Sequence, residues 1–310
     1  MRKLGIVLLC ILLMGTACGE KRSRSVEKAP EPTTPQARIT EYVRELTGEE
    51  MAGRRTGTRG EALAALYLAK HLQRLGIEPA GAEKTYFQSF PTGEITWQMM
   101  HNRMTLRHNQ NAAGAQSANV LGLIPGRSEE IIVLSAHYDH LGVIENELYP
   151  GANDNASGTA LVMELAAALK SERPRYTVLV AFWGGEEAGL LGSHYFTHNM
   201  TVPRRSLKAI INLDSLGNLS GKKLLGWRSG EGETCEHFIS ELTQAGWEIT
   251  WENTMSHSSD HATFGRAGIS GFTLLSPDWL KDNHTPRDVS KEVNFKMLTE
   301  LMNDLKTILI

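Results

Sequence analysis

Histidine and carboxylate side chains able to hold a metal ion or move a proton are concentrated in a few short stretches: SAHYDHLG, PGANDNASGTA, FWGGEEAGLLGS, NLDSLG and SPDWLKDNHTPRD. In the first, His137 and Asp139 point to one side if the backbone is extended, so one can be a ligand while the other orients it. A hydrogen-bonded surface pair is the plainer alternative. The second places Asn153, Asp154 and Asn155 in a loop that opens into a helix near Ser157. These residues can supply a ligand, or they can merely build the turn and its cap, with Ser157 as N-cap. In the third, Glu186 and Glu187 follow two glycines. Neighbouring side chains cannot face one point in the same way, which suits one carboxylate on a metal and the other on a water, although acids at a helix N-terminus read alike. Asp214 closes an apolar run, where an acid calls for a cation or a metal. His284 is the best candidate ligand on the last loop, and SHSSDHATF sets Asp260 and His261 ahead of it.

The elements that must position these residues alternate. Helical patterns cover ARITEYVRELTG and TRGEALAALYLAKHLQRLG, the latter stopped by Gly76, and three strand-like runs follow between Lys84 and Ile124. From Ile131 the apolar strands IIVLSA, YTVLVAFW, LKAIINL and ISGFTLL alternate with helices at SGTALVMELAAALK, AGLLGSHYFTHN and TCEHFISELTQAG. Strands that are apolar throughout are buried on both faces. The expected fold is therefore α/β, a single globular domain with a mixed, mostly parallel β-sheet covered by helices on both faces. In such a sheet the crevice beyond the carboxyl ends of the strands is the usual ligand site, and the polar stretches fall there. No internal repeat and no further domain boundary follow Ala37.

Composition bounds the partners. The 310 residues are 41% hydrophobic and 22% charged with a formal net charge of -3, so no basic surface argues for nucleic acid. Arg2 and Lys3, an apolar run from Leu4 to Met14, and Gly15, Thr16 and Ala17 before Cys18 have the layout of a signal peptide over residues 1–17. The run is shorter than the ~20 residues a membrane-spanning helix needs. GTAC resembles a bacterial lipobox, with Gly15 where such motifs usually carry Leu, which makes Cys18 the expected lipid anchor. Residues 18–36, polar, charged and proline-rich, read as a flexible tether, and residues 37–310 as the folded domain. The expected location is outside the cytoplasm, on a bacterial membrane at its periplasmic or cell-surface face. With Cys10 removed and Cys18 lipidated, Cys235 stands alone as a buried thiol. His71, His101, His194, His198 and His237 have no acidic company at ligand spacing and read as structural.

The order of the acidic and imidazole stretches strongly resembles the zinc aminopeptidases of metallopeptidase family 28, which include secreted bacterial leucyl aminopeptidases and the glutamate carboxypeptidase II relatives. The likeness runs from about Glu50, through EMAGRRTGTRGE, to the C-terminus. It implies the zinc-dependent exopeptidase fold and removal of N-terminal residues from peptides by a Glu-assisted water attack at two zinc ions. Carried over by position, Asp154 is the carboxylate shared by both metals. His137 and Asp214 complete one site, Glu187 and His284 the other; Glu186 is the general base and Asp139 the acid that orients His137. Asn153 departs from relatives that carry Asp there. Asp260 falls in a stretch near the family's substrate pocket, as lining or support. The likeness also implies a cis peptide between Asp154 and Asn155. A single-zinc glutaminyl cyclase on a similar fold is the main alternative, and a catalytically inactive binding domain is disfavoured by the complete ligand set.

Overall fold

The computed structural model describes residues 32–252 and 258–310; the expected signal segment, Cys18 and most of the expected tether lie outside the described residues. Helix α1 (Pro35–Leu46) begins two residues before the expected boundary, because Thr34 accepts a hydrogen bond from the Ala37 amide and Pro35 suits the first helical turn. Helix α2 (Arg59–Arg74) buries Ala64, Ala65, Leu68 and Leu72. The strands are β1 (Glu78–Pro79), β2 (Phe87–Met100), β3 (Arg103–Asn109), β4 (Ala115–Ile124), β5 (Ser128–His137), β6 (Gly142–Ile144) and β7 (Glu147–Tyr149). After α3 (Gly158–Ser171) come β8 (Tyr176–Trp183), α4 (Leu191–His198), β9 (Leu207–Leu213), β10 (Lys223–Ser229), α5 (Glu233–Gln244), β11 (Glu248–Glu252), α6 (His261–Arg266), β12 (Gly271–Leu275) and α7 (Phe295–Leu309).

One sheet of ten strands runs β11-β10-β12-β9-β5-β8-β4-β2-β3, with β1 beside β4. Its centre, β12, β9, β5 and β8, is parallel. The β4-β2-β3 flank is antiparallel, and β6 and β7 form a separate hairpin. Successive residues of the central strands bury on opposite faces: Ile132, Leu134, Val178 and Val180 belong to the larger core, with Leu161 and Leu165 of α3 and Leu301 of α7. Ile131, Val133, Leu179 and Ala181 belong to a second core with Phe196 of α4 and Phe264 of α6. Helices on both faces explain why these strands read as unbroken apolar runs. Cys235 is buried and free, and burial pushes its thiol up to about 11. No helix among the described residues is long and apolar enough to cross a membrane.

From β5 the chain passes to β8 on one side and then to β9 on the other. The connections thus diverge at β5. A crevice opens at such a switch point beyond the carboxyl ends of the strands.

Candidate active site

His137 is the last residue of β5, Glu186 and Glu187 lie just beyond β8, Asp214 follows the last residue of β9, and His284 sits on the loop after β12. Gly185, at a φ of 69°, turns the chain sharply out of β8, so the two glutamates project from a loop and not from a helix N-terminus. Together with Asp154 these side chains line one cavity of about 260 Å³.

The ligand-type atoms converge in two groups that share Asp154: His137, Asp154 and Asp214 in one, and His140, Asp154, Glu187 and His284 in the other. Asp154 faces both ways. Its Oδ1 lies 3.3 Å from His137 Nε2 and its Oδ2 3.2 Å from His284 Nε2. Asp214 Oδ1 is 3.4 Å from His137 Nε2, and the Glu187 oxygens are 3.1 and 3.0 Å from His284 Nε2. His284 gives its Nδ1 hydrogen to the Met104 carbonyl on β3 at 2.5 Å, which directs Nε2 inward.

Neighbouring backbone holds this cluster. Asp288 accepts the amides of Asn153 at 2.6 Å and Asp154 at 3.0 Å. Asn155 donates to the Leu213 carbonyl and accepts from the Gly158 and Ser215 amides, tying the Asp154 loop to the end of β9. The Asp154–Asn155 bond is cis, as the resemblance implies. Asn153 accepts from the Gly217 amide and donates to the Trp279 carbonyl, and the second bond is one that Asp could not make. Ser157 does not cap α3 with its side chain. It donates to the Asn153 carbonyl and accepts from the Leu216 amide, and Asn155 accepts the first helical amide instead. Arg54, fully buried, donates to the carbonyls of Leu46, Tyr138, Pro150 and Gly151, clamping the exit of β5 to the loop before Asp154.

One expected residue sits differently, and another stands behind the cavity, in the supporting place the resemblance allows. Asp139 lies 3.7 Å from His137 Nδ1, too long for a hydrogen bond. Its carboxylate accepts instead from the Thr56 hydroxyl and from the amides of Glu186 and Glu187, so it fixes the loop carrying both glutamates and is a positioning residue. Asp260 does not reach the cavity wall. It is completely buried, and burial raises its carboxyl to about 7. Sequence reasoning missed His140, whose Nδ1 is 2.9 Å from Glu187 Oε1, and Asn283, which donates to Asp154 Oδ2 at 2.6 Å. The second histidine in HYDH was the available signal for the former; the latter forms only when the last loop folds over.

The charges are strongly interdependent. Burial opposes ionisation of Asp154, but His137 and His284 hold its carboxyl well below the ordinary range. For Glu187 burial is likewise outweighed, chiefly by His284, and the carboxyl falls to about 2. Burial works against a charge on His284, yet Glu187 and Asp154 carry it up to about 10. Glu186 goes the other way: burial lifts it well above the usual carboxylate range, with His137 opposing and Glu187, Asp260 and Asp214 adding to the rise. Carboxylates this close in a buried cleft need positive charge among them. Imidazolium protons can supply it, and a divalent cation bound by the same nitrogens and oxygens takes their place, so the donor set fits a metal.

A family model for peptidase family M28 matches residues 119–306, more than half of the chain, and the chain belongs to that family. Among curated relatives, it is 28% identical over 250 residues to the aminopeptidase YwaD of Bacillus subtilis, a match covering 73% of this chain and 50% of that protein. The chain spans 37 to 50% of the length of the first curated relatives it matches. The solved structure of BSAP, a zinc aminopeptidase from Bacillus subtilis, superposes with a TM-score of 0.68 at 17% identity over 88% of this chain and 94% of that one. A glutaminyl cyclase from Bacteroides thetaiotaomicron superposes with a TM-score of 0.67 at 19% identity over 90% and 98%. Both share the α/β fold of this chain.

Proposed function

We propose that the chain is a zinc-dependent aminopeptidase that removes N-terminal residues from peptides with two ions at its site. The observation that carries the reading is Asp154, whose two oxygens face two different imidazoles at the junction of two ligand groups. His137, Asp154 and Asp214 would hold one ion, and Asp154, Glu187 and His284 the other. Bound zinc supplies Lewis acidity, making water easier to deprotonate and polarising the carbonyl of the bond to be cut.

Glu186 lines the cavity beside both groups, where its carboxyl, raised by burial, can exchange a proton with a water or an amine. As water oxygen bonds to the carbonyl carbon, Glu186 takes one water proton. When the C–N bond breaks, Glu186 returns that proton to the departing amine nitrogen. Asp139 holds the Glu186 and Glu187 amides, so base and ligand keep a fixed spacing.

Glutaminyl cyclases share this fold at a similar TM-score, which keeps a single-zinc aminoacyltransferase as the second reading. Metal content measured beside hydrolysis of aminoacyl anilides tests the choice. Two zincs with hydrolysis support the peptidase; one zinc with ring closure of glutaminyl peptides overturns it. We further propose that the protein is exported and lipid-anchored at Cys18, a reading supported by the charged start, the apolar run and GTAC. Cys18→Ser should then release the protein from the membrane fraction or leave it unprocessed. Wild-type protein wholly in the soluble fraction, cleaved before residue 18, removes the lipid.

A further inference from the structure

We infer that Arg103 is a specificity-determining residue whose guanidinium meets a carboxylate on the substrate, within a residue's reach of the bond that is cut. The inference rests on the peptidase reading above. Arg103 opens β3 directly after the tight turn at His101 and Asn102, and it lines the same cavity as Asp154, Glu186 and His284. It is the one Lys or Arg among the described residues that line that cavity.

Its head is held but not neutralised. The guanidinium lies 5.4 Å from the centre of the Trp279 ring, and one Nη donates to Asn283 Oδ1. Asn283 in turn donates to Asp154 Oδ2, so a single side chain fixes the cation relative to the shared carboxylate. Nε is buried with no hydrogen-bond partner, and among the described residues no carboxylate pairs with Arg103. An arginine stacked by one face keeps its edge for a planar partner, and a carboxylate matches that edge with two parallel hydrogen bonds. Apart from the acids and histidines, Arg103 shares the wall with Trp227, Leu275, Trp279 and Leu190, which reward an apolar stem, and with Gly189, Ser215 and Ser258, which bring polar groups but no positive charge. Because Arg103 lines the same cavity of about 260 Å³ as Asp154 and Glu186, a carboxylate can reach it from an acidic first side chain or from the C-terminus of a very short peptide.

Three peptides distinguish these sources: leucyl-alanine amide, with no carboxylate; glutamyl-alanine amide, with one on the first side chain; and leucyl-alanine, with one at the C-terminus. The wild-type kcat/KM should favour one carboxylate-bearing peptide over leucyl-alanine amide. Arg103→Met should shrink that ratio about 10- to 100-fold, the worth of a charge-assisted pair, and Arg103→Lys should fall between. The ratio that collapses identifies the source. No wild-type preference, or equal losses on all three peptides, overturns the inference while hydrolysis of leucyl-alanine amide leaves the peptidase reading standing. If wild type cleaves none of them, the peptidase reading fails, and thermal shifts with the same peptides as ligands decide the inference by whether a carboxylate preference is present and depends on Arg103. Melting temperatures check folding, and the Lys variant carries the comparison if the Met variant does not fold.

Discussion

The carboxyl edge of β5, β8 and β9 and the β2–β3 ribbon meet at one cavity, yet they are held in place differently. At the edge, each functional side chain is locked by backbone: Asp288 on the Asp154 loop, Asp139 on the glutamates, Arg54 on four carbonyls. Those supports are almost wholly buried and continuous with the two cores. The ribbon is the outer flank of the sheet, with Trp97, Met99 and Met100 exposed. It meets the rest of the site through Trp97 to the Leu141 carbonyl, Arg103 to Asn283, the Met104 carbonyl to His284, and a small apolar cluster of Ile95, Met104 and Leu106 against Leu141, Ala188 and Leu191. The proposed chemistry thus sits where movement would break the core, and the substrate reading inferred for Arg103 sits on a ribbon outside the two main cores.

The sharpest break of this comparison is at the edge itself. Glu186→Gln keeps the shape but cannot take the proton, so kcat should fall about 100- to 10,000-fold with metal content unchanged. Glu187→Gln should lose metal together with activity. Metal analysis beside kinetics checks the pair, and similar behaviour of the two would refute the division of roles.

Arg54 tests whether the edge owes its rigidity to the buried clamp. Arg54→Met removes the donor for four carbonyls that stay buried, and the expected stability loss is about 4 kcal/mol in urea unfolding. A loss below about 1 kcal/mol would show that water or rearranged backbone satisfies those carbonyls.

His71 probes the core behind the edge. It packs on Tyr42, its Nε2 lies 3.2 Å from the Met163 carbonyl, and burial lowers its pKa to about 4. The unfolded chain, with an ordinary value near 6.5, binds the proton more readily, so stability is full above about pH 6.5 and is lost as pH falls toward 4. The loss is on the order of 3 kcal/mol by that linkage. Unfolding free energies between pH 4 and 7 should show a shallower acid slope in His71→Gln; an unchanged slope assigns the acid sensitivity to other groups.

How far this organisation could be read beforehand follows the same division. The central strands were legible because burial on both faces writes them as apolar runs; the acids and histidines at their ends were visible one stretch at a time, but their grouping around Asp154 came only from the family resemblance. The edge strand β11 alternates half-buried and exposed residues over EITWE, and β10 lies between it and β12, so neither stood out. Apart from the Arg54 bond to Leu46, Arg54, Asn283 and Asp288 act through partners 84 to 180 positions away, beyond any local spacing. The Met104 carbonyl is invisible in principle, since every residue has one.

Trp97 carries the smallest expected effect and tests whether the ribbon is as separable as its contacts suggest. Its indole N–H donates to the Leu141 carbonyl at 3.1 Å, and the Arg55 guanidinium lies 4.4 Å from its ring centre, while 39% of the residue remains exposed. One neutral hydrogen bond contributes about 0.5 to 1.5 kcal/mol and an exposed cation–π contact about 0.5 to 1, so Trp97→Ala should lower stability by about 1 to 2 kcal/mol. Trp97→Phe keeps an aromatic face for Arg55 but loses the N–H and part of the ring system, and should forfeit about half of that or more. If ribbon and edge are separable, metal content should be unchanged in both, even though Leu141 directly follows His140, whose Nδ1 meets Glu187. A drop in bound metal on Trp97→Ala would mean that ribbon and edge move together, through the Met104 carbonyl on His284, and the two regions would then have to be treated as one mechanical unit.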